Sequence, residues 1–357
     1  MSEQWPKLSK QDWLTLVQKE LKDKDYASIV QRISPNISIE PYYTADETSG
    51  RMPPLIVSNT WESAEDFHFT GHNAADTNAA ILEALNGGLQ SLSIHCDTVP
   101  DPDALKLVLN GVSLGSVSVF FSFPQGTDAL SVRTLLENVC HTGGISHDLL
   151  RGGILSNLHD AEMIAGFPLI KPLPINTGDH QCTQTPEIVL ARLLFEADSI
   201  WEKSNPSDHH ALVRQFHFTL HIGNDFLTEL SKLRAMYLLW ANYQLARGIE
   251  RPSEPYIHAV FCRDAYTEDE NKNMIKASAM AMAAVAGGAA RITVTPTGTE
   301  QSSFQRRIAR NVLNLLDLEA GMRLVPDPAA GSYYFENLTE AIAQAAWDHF
   351  LNQKKRS

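Results

Sequence analysis

Cysteine is scarce in this 357-residue chain: Cys96, Cys140, Cys182 and Cys262 are the only four, and no two form a C-x-x-C pair. That scatter excludes a zinc ribbon or a disulfide-dense scaffold and predicts reduced thiols in a cytoplasmic protein. Basic charge is short as well. Lys and Arg total 29 against 42 Asp and Glu, a formal charge of −13, which argues against a surface for nucleic acid or an anionic membrane. No apolar run approaches the ~20 residues needed to cross a bilayer, and the opening MSEQWPKLSKQDWL lacks the apolar stretch of a secretory signal. No H-E-x-x-H, G-x-S-x-G, Walker loop or G-x-G-x-x-G stands in a suitable context. The thirteen histidines are not spaced as metal ligands, and His209–His210 reads as a solvated pair in a Pro/Ser/Asp loop. What remains is a globular composition, 43% hydrophobic and 20% charged, too apolar for a disordered chain.

An alternation of β-rich and helix-period runs repeats eight times between roughly residues 55 and 318. A first strand falls in the weakly patterned stretch 55–69, before NAADTNAAILEALNGG. SLSIHC, VSVFFSF, GGILSN, LIKPLPIN, FHFTLH, YIHAVFC and RITVTP follow, each leading into a helix-period segment; LHDAEMIAGF is the helix expected after GGILSN. Such alternation implies a parallel sheet, and eight units in about 260 residues match an α/β (β/α)₈ TIM barrel. A doubly wound open sheet is the competitor, but it would show a Gly-rich first turn. The expected organisation is an N-terminal extension over 1–54, a barrel over 55–319, and a C-terminal segment over 320–357 in which VPDPAAGSYYFENLT reads as a loop before an Ala-rich helix. The extension holds one amphipathic helix near Gln11–Lys22 and then an extended, Pro-containing stretch. The Ala/Met-rich run 277–290 reads as a closely packed helix.

Barrel interiors are usually filled by Val, Ile and Leu. Here Ser91, Ser93 and His95 share one strand face against Leu92 and Ile94, while His217, Thr219 and His221 oppose Phe216, Phe218 and Leu220. Thr293 and Thr295 oppose Ile292 and Val294, and Ser118 and Ser122 share a face with Phe120 between them. With the apolar faces under the helices, the Ser/Thr/His faces point inward, where polar groups need partners. Two readings stand: an internal hydrogen-bonded network, or a channel for a long polar ligand that the histidines partly plug.

Five segments resemble the methylmalonyl-CoA mutase family, in order along the chain: PYYTADE (41–47), NAAILEALNGGLQSLSI (78–94), HIGNDFLTELSKLRAMYLLWA (221–241), RRIARN (306–311) and DPAAGSYYFENLTEAIAQAAW (327–347). The resemblance implies a TIM barrel with an N-terminal arm that packs on a partner subunit, and a barrel axis threaded by the pantetheine arm of a CoA ester. Departures point to a particular role. Where catalytic members of the family carry Gly-Tyr-His after the fifth strand, this chain reads Thr177-Gly178-Asp179-His180, and the Arg-Gln that follows a Trp matching Trp61 is absent. The family's cobalamin-binding domain lies beyond the region matched. DFHFTG (Asp66–Gly71) has the D-x-H-x-x-G form of a cobalamin axial-ligand motif, but it precedes the first barrel helix instead of opening its own domain, and it reads as coincidence. The expectation is a small, non-catalytic subunit of a heterodimeric mutase, with adenosylcobalamin held by the catalytic partner chain and no cofactor or metal in this one. The alternative is a working substrate barrel that uses cobalamin from a separate subunit. His180 is then the catalytic acid–base group, with Thr177, His221, Asn224, Ser93, Thr219 and Thr295 as substrate contacts, several of them at strand C-terminal ends. Asn224 has a second reading as a helix cap. A third possibility is an unrelated CoA-ester binding module.

Overall fold

The computed structural model describes residues 9–47, 55–157, 166–204, 209–297 and 302–356. Helix α1 (Lys10–Leu21) opens the described chain on a Ser9/Asp12 capping box. It leads to an antiparallel hairpin, β1 (Gln31–Ser34) and β2 (Ile37–Ile39), where an extended segment is expected. Ile37 and Ile39 are buried against the barrel's helical shell, so this part of the extension is anchored.

The barrel follows as β3 (Glu62–Phe69), α2 (Ala74–Asn86), β4 (Ser91–Cys96), α3 (Pro102–Val108), β5 (Ser118–Ser122), α4 (Ala129–Gly143), β6 (Gly152–Ile154), β7 (Ile170–Lys171), β8 (Leu173–Ile175), α5 (Pro186–Lys203), α6 (His209–Gln215), β9 (Phe216–Ile222), α7 (Phe226–Ala246), β10 (Ile257–Phe261), α8 (Glu270–Ala286), β11 (Arg291–Thr293) and α9 (Ser303–Leu318). The parallel strands run in the order β7-β6-β5-β4-β3-β11-β10-β9-β8. Strands β7 and β8 flank Pro172, which has no N–H to give a ladder. Ile170–Lys171 pair with β6, and Leu173–Ile175 pair with β9. The expected fifth strand is therefore one strand split at proline, and through it eight strand positions close a ring. Aspartates begin several helices: Asp101, Asp128 and Asp225 each accept from a backbone N–H in the first turn of α3, α4 and α7.

Leu92, Ile94, Val119, Phe121, Phe218, Leu220 and Ile292 point outward and are buried under the helices. The Ala/Met-rich run is closely packed, as expected: Ala277, Met280, Ala281, Ala283 and Ala284 of α8 are buried. The first strand begins at Glu62, later than the weak pattern suggests. LHDAEMIAGF falls mainly on residues 158–165, outside the described residues. His209–His210 are exposed, but they start α6 instead of lying in a loop, and His209 stacks on Trp201 at 4.9 Å.

The C-terminal stretch holds less loop than expected, because α10 (Tyr333–Lys354) already starts within YYFENLT. Leu338, Ile342 and Ala346 of α10 are buried, and Lys354 at its end reaches Asp198 on α5 at 2.8 Å. Arg234 of α7 is fully buried and ion-pairs with Asp327 and, at 3.0 Å, with Glu336 of α10. That triad ties the segment to the barrel wall.

Candidate functional site: the barrel axis and its mouth

Pairing register sets what meets on the axis. Ser91 of β4 is level with Ala64 of β3 and Ser118 of β5, and Arg291 of β11 is level with Glu62 of β3 and His258 of β10. Arg291 shares the inward face with Thr293, since side chains two apart on a strand point the same way. Its guanidinium donates to Ser91 Oγ at 2.7 Å and Ser93 Oγ at 2.6 Å, reaches the His258 imidazole at 3.0 Å, and lies 4.3 Å over the centre of the Phe120 ring. His258 in turn sits 2.9 Å from Thr293 Oγ1, and Ser118 donates to Glu62 at 2.5 Å. His217 donates its Nε2–H to the Ile154 carbonyl at 2.8 Å. Arg291, Ser91, Ser93 and His217 have no exposed surface. The two interior readings thus resolve in favour of the network.

Burial governs the charges in it. It pushes His217 down to about 4, against the pull of its bond to Ile154 and with Arg291 and Lys171 adding repulsion, so the ring is neutral. Burial and the Arg291 charge likewise drive His258 well below the usual histidine range. Arg291 itself is lowered by burial, which Tyr256, Asp66 and Glu62 partly offset. A buried cation without a direct ion pair among the described residues is tolerated here because hydroxyls, an imidazole and an aromatic face surround it.

Glycines on β6 make room for the plug. A Cβ on Gly153 would come within 2.7 Å of both the Phe120 ring and the Lys171 carbonyl, and one on Gly152, at φ +145°, would meet the Val119 carbonyl at 1.8 Å.

Above the network, at the strands' C-terminal ends, is a cavity of about 410 Å³ whose wall includes Asp66, His68, Cys182, His221, Thr295 and Arg306. Asp66 Oδ1 lies 3.3 Å from His95 Nε2. Although burial opposes ionisation, the His95 and Ser93 hydrogen bonds and the Arg291 charge hold the Asp66 carboxyl well below the usual range. Arg306 of α9 pairs with Glu65, which also accepts from Arg310 at 2.7 Å.

The expected substrate contacts separate by height in the barrel. His221 and Thr295 line the cavity, where Thr295 donates to the Phe261 carbonyl at 2.9 Å. Ser93 lies below it, held by Arg291. Thr219 is nearly buried, and its carbonyl accepts from Gln181 at 3.0 Å. The buried Thr177 hydroxyl has no hydrogen-bond partner among the described residues. Asn224 donates to the Ala265 carbonyl at 2.9 Å, and the cap of α7 is Asp225 next to it. His180 falls in the 3-10 turn Asp179–Thr183; its side chain lies outside the described residues.

The expectation of four reduced thiols is corrected. Cys182 and Cys262 are joined as a disulfide with their Cα atoms 6.0 Å apart, and Cys96 and Cys140 are free and buried. The partners are 80 residues apart in sequence, and the pairing order β10-β9-β8 is what brings the turn after β8 near the end of β10. Arg291 is a site residue that the strand-face reading passes over; its signal is a charged residue two before Thr293, on a face already read as inward. His68 and Asp66 do not assemble a cobalt-ligand relay, in which the carboxylate would orient the ligating histidine. Asp66 pairs instead with His95 of the next strand, and the His68 ring stacks on His95 at 5.1 Å. None of the helices among the described residues is long and apolar enough to cross a membrane.

Comparison with known proteins agrees with the resemblance in sequence. Residues 206–355 match the family model described as methylmalonyl-CoA mutase. A methylmalonyl-CoA mutase small subunit from Porphyromonas gingivalis is 27% identical over 98% of this chain and 63% of its own length, and one from Streptomyces virginiae is 25% identical over 98% and 64%. The small subunit from Propionibacterium freudenreichii subsp. shermanii is 28% identical over 78% of this chain and 48% of its own. The chain thus spans about half to two thirds of the length of these relatives. On these matches the chain is similar to the methylmalonyl-CoA mutase family, and in particular to its small subunits.

Proposed function

We propose that this chain is the small, non-catalytic subunit of a methylmalonyl-CoA mutase, serving the interconversion of methylmalonyl-CoA and succinyl-CoA in the cytoplasm. Its partner is a catalytic chain that binds adenosylcobalamin. One observation carries the reading. Where the family resemblance would run a pantetheine arm, Arg291, Phe120, His217 and His258 fill the axis and bond to one another or to the barrel wall. A ligand entering there would have to displace a buried cation from three polar partners. Support for the partner contact comes from α1, which buries none of its residues and carries Leu16, 55% exposed, beside half-buried Leu14 and Val17, while Trp13 packs on Tyr42 at 4.9 Å. An apolar face of that kind fits a protein interface.

The test is co-expression with a cobalamin-binding mutase chain, followed by size-exclusion chromatography and a mutase assay. A one-to-one complex that turns over, beside an isolated chain that neither turns over nor binds acyl-CoA in calorimetry, is the expected result. Micromolar acyl-CoA binding by the isolated chain would overturn it in favour of a working substrate barrel, and His180→Ala would then have to abolish turnover of the reconstituted complex.

A further inference from the structure

We propose that Cys182, Cys262 and His221, once the disulfide is reduced, form a binding site for a soft divalent metal ion, with Zn²⁺ the ion of best fit. The three come from separate elements: the 3-10 turn Asp179–Thr183, the chain just after β10, and β9. Their spacing in sequence therefore resembles no metal motif. In space, one ligand atom from each lies within 4.8 Å of the other two, and Cys182 Sγ is 3.8 Å from His221 Nδ1. A tetrahedral ion with Zn–S bonds of about 2.3 Å holds two sulfurs about 3.8 Å apart. Once unbonded, the sulfurs must separate to about that distance anyway, and a Cα separation of 6.0 Å allows it.

The donor set argues for the ion. Two thiolates and one imidazole suit Zn²⁺ and do not suit Mg²⁺ or Ca²⁺, which take oxygen ligands. Three protein ligands leave a fourth position, and Cys182 and His221 both face the mouth cavity, so solvent or a small ligand can complete the sphere. The backbone that carries His221 is fixed: its amide N–H donates to Gln181 Oε1 at 3.1 Å, and its carbonyl accepts from Lys232 Nζ at 2.7 Å. Disulfide and metal are mutually exclusive states of the same sulfurs. Two equivalents of a thiol reductant convert the disulfide to two cysteine thiols and are themselves oxidised to one disulfide. Zn²⁺ then displaces two protons as it binds the sulfurs and Nδ1. Either state ties the turn after β8 to the end of β10.

The test uses the full chain, oxidised or reduced with a phosphine and desalted under nitrogen, and titrated with Zn²⁺ against a chromophoric chelator and with Co²⁺ in the visible. One equivalent bound by the reduced chain and none by the oxidised chain is expected, together with the sulfur-to-cobalt charge-transfer band and tetrahedral visible absorption. Cys96, Cys140 and Cys262 are buried while Cys182 lies in the cavity wall, so alkylation of the native reduced chain should block Cys182 and abolish binding without any mutation. Cys182→Ser and Cys262→Ser should each lose the site, and His221→Gln should weaken it by more than the roughly 10- to 100-fold that losing a ligand's hydrogen-bond partner costs. No stoichiometric Zn²⁺ uptake by the reduced chain, uptake that survives alkylation, or full affinity in His221→Gln would each overturn the proposal.

Discussion

Truncating Arg291 to alanine tests the filled axis directly. The change deletes donations to Ser91 and Ser93 at 2.7 and 2.6 Å, the contact with His258 at 3.0 Å and the stacking on Phe120 at 4.3 Å. Hydrogen bonds to a charged donor contribute about 1.5–3 kcal/mol each, and the void left behind adds a cavity penalty. Against these stands the relief of no longer burying a cation that has no direct ion pair among the described residues. The opposing terms leave a net loss of about 2–4 kcal/mol, the range in which a broken buried network falls. Chemical denaturation followed by far-UV circular dichroism at pH 7.5 measures it. Arg291→Met, which refills the volume without the charge, should lose less than half as much. If Arg291→Ala is as stable as the parent chain to within about 0.5 kcal/mol, the network is not what supports the barrel interior, and the argument from a filled axis fails.

Arg234→Ala should cost about 3–5 kcal/mol by stranding the buried Asp327 and Glu336 carboxylates; limited proteolysis should then release α10 first, and intact α10 under those conditions would refute the triad's role. His217 is depressed to about 4 when folded and has an unfolded value near 6.5. Between those values the unfolded chain binds the extra proton, so stability falls as pH drops below 6.5, by about 1.4 kcal/mol per unit from this residue. A His217→Gln variant should show a shallower loss between pH 6.5 and 4.5; parallel curves would count against a neutral, buried His217. Gly153→Ala drives a methyl to within 2.7 Å of the Lys171 carbonyl and the Phe120 ring, and it should destabilise by about 1–3 kcal/mol, measurable in the same denaturation assay.

The barrel was legible because its alternation rests on strong local signals. The outward faces of β4, β5 and β9 are Leu, Ile, Val and Phe at period two, and helix starts are marked by aspartate or serine caps. The failures have identifiable causes. Pro172 interrupts a run whose hydrophobicity is continuous, because hydrophobicity does not register a missing donor. YYFENLT reads as loop after Pro and Gly, yet α10 begins there; Glu336 in its first turn accepts from Gly331 N–H and from Arg234, a partner 102 residues away. The hairpin at 31–39 is held by the burial of Ile37 and Ile39 against the shell, a tertiary effect that a short polar stretch does not announce. The disulfide was out of reach for the same reason, since cysteine spacing carries no information about which strand ends the pairing order brings near one another.

The interior was half legible, and the missing half concerns volume. Small hydroxyl residues facing inward on β4 and β5, with glycine on β6, suggest space when each strand is read alone. Eight strands at their usual tilt leave room for a fixed amount of side chain, so what one strand leaves empty another must fill, or a ligand must. Here β11 supplies Arg291, β5 supplies Phe120, and β9 and β10 supply His217 and His258; Phe120 is level with Ser93 and Gly153, and His258 with Thr219. The hydroxyls are then receptors for one long cationic side chain. Ser91 and Ser93 hold Arg291 at the height where a ligand arm would otherwise pass. An inward stripe of Ser and Thr therefore argues for a channel only when no strand of the ring supplies a residue long enough to reach across it.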